Sequence, residues 1–278
     1  DLKDGKSGGD FKEIDLLHRQ LERQARIQRY QGGGTETDLN PKIANRNTAE
    51  RKRKARNDYS EEQAERLMEA FRDSLFQYQH DWFMARHERT RAILKSRQIG
   101  ATFYFAREAL IDAMETGRNQ IFLSASKSQA HLFKQYIQAF AREAADLELS
   151  GDPIVLPNGA HIYFLGTNAR TAQGYHGNFY FDEFFWTFRF EELNKVASGM
   201  AMQKQYRKTY FSTPSSMAHQ AYPFWTGERF NKRKAKKDRV DIDVSHATLQ
   251  MGHRGEDKIW RQIVTILDAE ARGCDLFD

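Results

Sequence analysis

Four short apolar runs, AILKS (92–96), QIFLSA (120–125), NFYFDE (178–183) and KTYFST (208–213), recur through the middle of the chain with helix-length segments between them. A helix beginning near Thr102 places Ala106, Leu110 and Ala113 on one face, and a longer amphipathic helix over 127–149 carries Leu132, Tyr136, Phe140 and Leu147. A further helical stretch occupies about 190–206. Strands that alternate with helices predict an α/β fold with a mainly parallel central sheet flanked by helices on both faces. Ligands of such open sheets bind at the carboxyl ends of the strands. PIVLPNGAHIYFL (153–165) adds two β-like runs around Pro157-Asn158-Gly159, a hairpin signal.

The rest of the chain is organised differently. DFKEIDLLHRQLERQARIQRY (10–30) is amphipathic through Ile14, Leu17, Leu21, Ala25 and Ile27, and QGGGTETDLNP (31–41) breaks it. RKRKAR (51–56) sets five cations in six residues, and residues 1–58 hold 14 Lys/Arg against 10 Asp/Glu, four of the five net positive charges of the chain. A basic appendage on a near-neutral body suits a polyanionic partner, and a solvated linker has the same composition. Ser60 followed by Gln63 is a capping-box spacing that opens a helix over 60–76. These features divide the chain into a basic N-terminal helix and linker (1–58), an α/β domain (59–245), and a connection (246–278) to a further domain. The chain begins at Asp1 without methionine and stops in an ordered pattern, QIVTILDAEARGCDLFD, as expected of a piece of a longer protein. The one cysteine, Cys274, excludes a disulfide framework or a cysteine-based zinc site within the chain and fits a reducing compartment. There is no apolar run of about 18 residues and no signal-peptide pattern, so no membrane partner is expected.

Chemistry is expected at three strand ends. The stretch RAILKSRQIGATFYFA (91–106) is a strand, a polar turn and a helix start; backbone N–H groups of such a turn cradle phosphate oxygens. Against G-x-x-x-x-G-K-[ST], it supplies Lys95-Ser96-Arg97-Gln98-Ile99-Gly100-Ala101-Thr102, keeping the second glycine and the hydroxyl residue but placing alanine where the lysine belongs. NFYFDE ends in adjacent carboxylates, Asp182 and Glu183, followed by the unsolvated composition FFWTFRF. Two carboxylates held between apolar segments need a metal or a basic side chain. TYFSTPSS (209–216) brings Ser212, Thr213 and Pro214 to the same sheet edge. Each motif alone has a plain structural reading as a turn or cap; the three together, in this order, point to nucleotide hydrolysis.

SRQIGAT, FYFDE and the STP turn together resemble the ATPase domain of large terminase subunits, the DNA-packaging motors of tailed bacteriophages. KSRQIGAT and DKIWRQIVTILDAEARGCDLFD look most like the P2-like branch, and the resemblance runs from about residue 60 to the end. It implies a P-loop NTPase fold of the additional-strand, catalytic-glutamate type, using ATP and Mg²⁺. It implies double-stranded DNA, the portal protein of a procapsid and a small terminase subunit as partners, with a homo-oligomeric, pentameric ring working in the host cytoplasm while docked on the portal. A C-terminal nuclease domain is implied for the full-length protein, outside this chain.

Residue by residue, the resemblance assigns the phosphate loop to 95–102, Mg²⁺ ligation to Thr102 and Asp182, and the catalytic role to Glu183. Ser212-Thr213-Pro214 becomes the segment that couples hydrolysis to movement. LFQYQHDWF (75–83) looks like the adenine-recognition motif, with Gln79 preferred and Gln77 second, because an amide both donates and accepts. Arg170, 13 residues before Glu183, is a candidate for an arginine reaching a neighbouring subunit's γ-phosphate. Ala101 departs from many relatives. Arg97, whose fork suits phosphate oxygens, is the expected substitute cation, and Lys95 is the second. RFNKRKAKKDR (229–239), with Lys232, Arg233, Lys234, Lys236 and Lys237, is a candidate DNA contact, expected to weaken with salt and to show little sequence preference. Two other readings stay open: a helicase-type DNA remodelling ATPase, and a degenerate site on a DNA- or capsid-binding scaffold.

Overall fold

The computed structural model describes residues 11–32, 57–166, 174–232 and 234–275. Arg170, Arg233 and the cation run at 51–56 lie outside the described residues. The chain forms two compact units, Asp1–Arg53 and Lys54–Asp278. In the first, α1 (Phe11–Gln31) matches the amphipathic segment read from the sequence, and its Leu16, Leu17, Leu21 and Ile27 are exposed.

The second unit is built on one eight-stranded sheet. Its strands are β1 (Thr90–Lys95), β2 (Gln120–Ser124), β3 (Ile154–Val155), β4 (His161–Gly166), β5 (Asn178–Asp182), β6 (Lys208–Ser212), β7 (His253–Arg254) and β8 (Trp260–Val264). The spatial order is β3-β4-β2-β5-β6-β1-β8-β7. The six inner strands run parallel, and β3 and β7 close the two edges antiparallel. Strand β6 stands between the loop-bearing β1 and the carboxylate-bearing β5, which is the additional-strand arrangement of P-loop NTPases.

Side chains two apart on a strand share a face, and the apolar residues sort accordingly. Ile93, Phe122, Tyr180 and Phe211 face one core, with α2 (Glu61–Asp73), α3 (Gln77–Met84), α4 (Ala101–Thr116) and α5 (Lys127–Ala145) packed there. Ala92, Ile121, Leu123, Phe179, Phe181 and Tyr210 face the other, under α6 (Phe190–Met200) and the aromatic segment 184–190. The Ser60–Gln63 capping box forms at the start of α2.

Four readings are corrected. In α5 the buried face is Phe133, Ile137, Phe140 and Ala141; of the expected positions Phe140 and Leu147 are buried, whereas Leu132 and Tyr136 are 46% and 41% exposed. The helix stops at Ala145, with Asp146 in the left-handed region. The helix expected over 190–206 ends at Met200, where the Met202 N–H turns back onto the Gly199 carbonyl. Residues 246–278 are not merely a connection: β8 pairs with β1 from Arg91 to Lys95 and lies inside the sheet. Its pattern was masked by two buried polar residues, Arg261, bound to Asp257 and the Trp225 carbonyl, and Gln262, bound to Asp81 and the Gln250 carbonyl. Among the described residues no helix is long and apolar enough to cross a membrane.

Candidate active site

The flanks of the loop at 95–102 are tied together from beneath. The Arg91 guanidinium on β1 is fully buried and forms an ion pair with Glu108 of α4. Arg91 also donates to Thr209 on β6 and to the Trp82 carbonyl, while the Tyr104 hydroxyl donates to Glu108. Strand, following helix and neighbouring strand therefore hold the loop from three sides. Within the loop, the Ser96 N–H bonds the Val264 carbonyl of β8 and the Tyr78 hydroxyl donates to the Ile99 carbonyl at 2.6 Å. Gln98 and Gly100 have positive φ, 60° and 73°. The glycine is needed for this conformation and for space, because a Cβ at position 100 would come within 3.2 Å of Gln79 Nε2.

Helix α4 starts directly after Gly100 with no side-chain cap. The first-turn N–H groups of a helix lack partners within it, so the backbone of Ala101 and Thr102 presents donors and the positive end of the dipole. Ala101 is buried and Thr102 half-buried.

Glu183 is the centre of the site. It follows β5 in the left-handed region (φ 49°, ψ 45°), an uncommon conformation for a residue with a side chain. Its N–H bonds the Phe211 carbonyl of β6. Oε1 accepts from Lys95 Nζ at 2.7 Å, and Oε2 accepts from the Thr213 N–H at 2.8 Å and the Thr213 hydroxyl at 2.9 Å. Ser212 Oγ lies 3.1 Å from Oε2. Burial alone would raise the Glu183 carboxyl, but the charge and hydrogen bond of Lys95, with the Thr213 donors, hold it below the usual glutamate range. Asp182 has a poorer environment, a 3.3 Å contact from the Ser124 hydroxyl. Burial, and then the adjacent Glu183 charge, push it up to about 7 against the opposing pull of Lys95.

Lys95, Ser96, Arg97, Trp186, Thr213 and Pro214 line one cavity of about 250 Å³ at this strand edge. The segments expected to act together are thus brought together: Lys95 and Thr213 touch Glu183, Asp182 adjoins it, and Ser96, Arg97 and Pro214 border the same space. Lys95 is buried in its ion pair, whereas Arg97 is exposed at the cavity. Gln79 is 2% exposed, and its Nε2 has no hydrogen-bond partner among the described residues. Gln77 is exposed, and its backbone is held by Arg272. The basic run lies elsewhere. Lys232 borders an open groove of about 1280 Å³ with Glu191, Arg229 and Arg239, Lys234 sits over the Phe230 ring, and Lys236 and Lys237 are exposed.

Three contributors were missed from sequence. Ser124 ends β2 as Asp182 ends β5, and the pairing of Leu123 with Phe181 puts the two ends side by side; the strand-end pattern of QIFLSA carried that signal. Tyr78 read as a core aromatic. Trp186 stood in a segment already noted as unsolvated.

The residues fit nucleotide and metal. An uncapped helix start, a glycine that keeps the loop open and an unpartnered buried amide suit a nucleoside triphosphate. Among the described residues no three His, Cys, Asp or Glu side chains are grouped to hold a metal. A carboxylate short of positive partners, with a hydroxyl on the helix start, is the sparse protein set Mg²⁺ uses alongside phosphate and water.

The family model described as "Terminase large subunit, T4likevirus-type, N-terminal" matches residues 92–278. The "Terminase, ATPase subunit" of Escherichia phage P2 is 58% identical over 280 residues, covering 100% of this chain and 47% of that protein. The "Probable terminase, ATPase subunit" of Haemophilus phage HP1 (strain HP1c1) is 46% identical over 225 residues, covering 81% of this chain and 37% of that protein. The chain spans about half the length, or less, of these curated relatives. Among solved structures, a large terminase from a thermophilic bacteriophage aligns with a TM-score of 0.50 at 11% identity, covering 71% of this chain and 46% of that one, a likeness of fold. The extent of the family match and the identity to the phage P2 subunit place this chain in the terminase large-subunit family, within its N-terminal domain.

Proposed function

We propose that the chain is the ATP-hydrolysing motor domain of a phage large terminase, which drives double-stranded viral DNA into a procapsid. The observation that carries this reading is the convergence on Glu183 of Lys95 from the phosphate loop and Thr213 from the STP turn. Residues far apart in sequence meet on one carboxylate beside a cavity of about 250 Å³, an arrangement a degenerate scaffold has no reason to keep. The names of the relatives from phages P2 and HP1 support the same reading.

In the resting arrangement every oxygen of Glu183 accepts from a protein donor, so it is poorly placed to take a proton from water. The γ-phosphate of ATP, entering beside Lys95, competes for the ammonium. Oε1 is then free to orient and deprotonate the attacking water, while Thr213 keeps Oε2 fixed. Arg97, exposed at the cavity, adds a bidentate fork to the phosphates. Thr102 and Asp182 would hold Mg²⁺, which when bound neutralises the phosphate oxygens. Loss of the Lys95 contact changes the partners of Glu183 and hence the pull on the 212–214 turn, a route from hydrolysis to movement. The wider assembly follows the family: a ring of subunits, five in number, on the portal protein, loaded by a small terminase subunit in the host cytoplasm, with the 229–239 run along the duplex.

The test is Glu183→Gln in the full-length protein, assayed for steady-state ATP hydrolysis with procapsids and DNA. ATP binding is retained and turnover falls by about 10²–10⁴-fold, the usual range for loss of a general base. Normal turnover in that variant refutes the assignment.

A further inference from the structure

The cavity at the strand edge has one wall that neither the motifs nor the proposed chemistry uses. Trp186 closes the 3₁₀ turn Phe184–Trp186 that follows Glu183, and its backbone N–H returns to the Glu183 carbonyl. Its neighbours Phe184 and Phe185 are buried in the core, yet Trp186 is 53% exposed. An aromatic left half in solvent beside a catalytic cavity has not been placed there by core packing.

The indole makes one specific polar contact, with Nε1 donating to the Thr213 hydroxyl oxygen at 2.7 Å. That hydroxyl in turn donates to Glu183 Oε2 at 2.9 Å. A threonine hydroxyl has one hydrogen and rotates to suit its surroundings, whereas an indole N–H only donates. By occupying a lone pair of Thr213, Trp186 leaves the hydroxyl hydrogen free to point at Glu183. The ring also borders the cavity with Lys95 and Arg97.

We propose that Trp186 is a positioning residue for ATP hydrolysis, which orients the Thr213 hydroxyl onto Glu183 from the wall of the phosphate cavity. The proposal rests on the reading of Glu183 as the base. It predicts that Trp186 acts through Thr213 and on the chemical step, with little share in ATP affinity.

The experiment is a double-mutant cycle in the full-length motor, with Glu183→Gln run alongside. Trp186→Phe keeps the ring and removes the donor; kcat falls by roughly 5–15-fold, the scale of one hydrogen bond, while KM for ATP stays within about twofold. Thr213→Val lowers kcat further, and Trp186→Phe added to it changes kcat by less than about twofold, because the lost contact has no remaining target. Trp82, Trp225 and Trp260 are buried, so the share of the nucleotide-dependent, solvent-quenchable tryptophan emission that arises within this chain is carried by Trp186, and it is read as the difference between wild type and Trp186→Phe. Wild-type kcat in Trp186→Phe, multiplication of the two single effects in the double variant, or an unchanged emission response each overturns the proposal. Inactive Glu183→Gln beside any of those results leaves the proposed function standing; active Glu183→Gln removes both.

Discussion

Replacing Asp182 by asparagine is expected to stabilise the empty protein while disabling it. The carboxyl is pushed up to about 7 by burial and by Glu183, from an ordinary value of about 3.9. The native state therefore binds its proton more tightly than the unfolded chain. Between pH 4 and 7 it holds the greater number of protons, and stability falls as pH rises through that window. Above pH 7 the whole cost of the charge is present. Three pH units at about 1.4 kcal/mol each set a ceiling near 4 kcal/mol, and solvent around the half-buried side chain reduces this to about 1–2 kcal/mol. For a folded unit of this size, that raises the melting temperature by about 2–8 °C. Asparagine matches the shape and keeps an acceptor for the Ser124 hydroxyl. The assay is thermal unfolding of both proteins without nucleotide across pH 4–8. The variant melts higher at pH 8, and the gap closes toward pH 4. Adding Mg²⁺ and a slowly hydrolysed ATP analogue is expected to reverse the ranking, because the wild type alone keeps the carboxylate proposed to hold Mg²⁺. A variant no more stable at pH 8, or an offset independent of pH, refutes the reasoning.

The two candidate cations separate on stability as well as rate. Arg97→Ala abolishes hydrolysis and leaves the melting temperature within about 1 °C, since an exposed side chain contributes little to folding; Lys95→Ala strips Glu183 and Asp182 of their shared cation and lowers the melting temperature at pH 8. Unchanged turnover in Arg97→Ala with an inactive Lys95→Ala assigns the phosphate role to Lys95. Gln79→Glu exchanges an unpartnered donor for an acceptor; KM for ATP rises by about 5–15-fold and the preference for ATP over GTP shrinks, while Gln77→Ala stays within about twofold. Equal ATP and GTP kinetics in the wild type sink that assignment.

The parallel sheet and the edge that bears the candidate site were legible because buried parallel strands leave continuous apolar runs, and NFYFDE and KTYFST end in polar residues at that edge. Other features were hidden for identifiable reasons. Strand β8 carries Arg261 and Gln262 at positions where a central strand is expected to be apolar; both are satisfied by partners distant in sequence. The face of α5 depends on which of two adjacent aromatic-rich stripes meets β2 and β4, a tertiary choice that periodicity alone leaves open. In the site, the motifs pointed to strand ends that the fold brings together, but the pairing of Lys95 with Glu183 across 88 positions is set by tertiary structure and has no spacing signal. The role of Trp186 was hidden for the same reason: a run of aromatics does not tell which ring turns outward.

The place of β8 also sets an order of events on the ribosome. Strand β1, which carries the phosphate loop, is flanked by β6 and β8, and β8 is translated after every other inner strand of the sheet. Until residues 260–264 emerge, one edge of β1 has unpaired backbone groups beside apolar side chains, a template for association between nascent chains. The Val264 carbonyl that receives Ser96 arrives in the same step, so the proposed nucleotide cradle gains this support only after that strand is made. A polypeptide stopped at residue 245 is therefore expected to be insoluble as well as inactive. Supplying the missing strand as a separate fragment offers a way to switch the fold on by complementation.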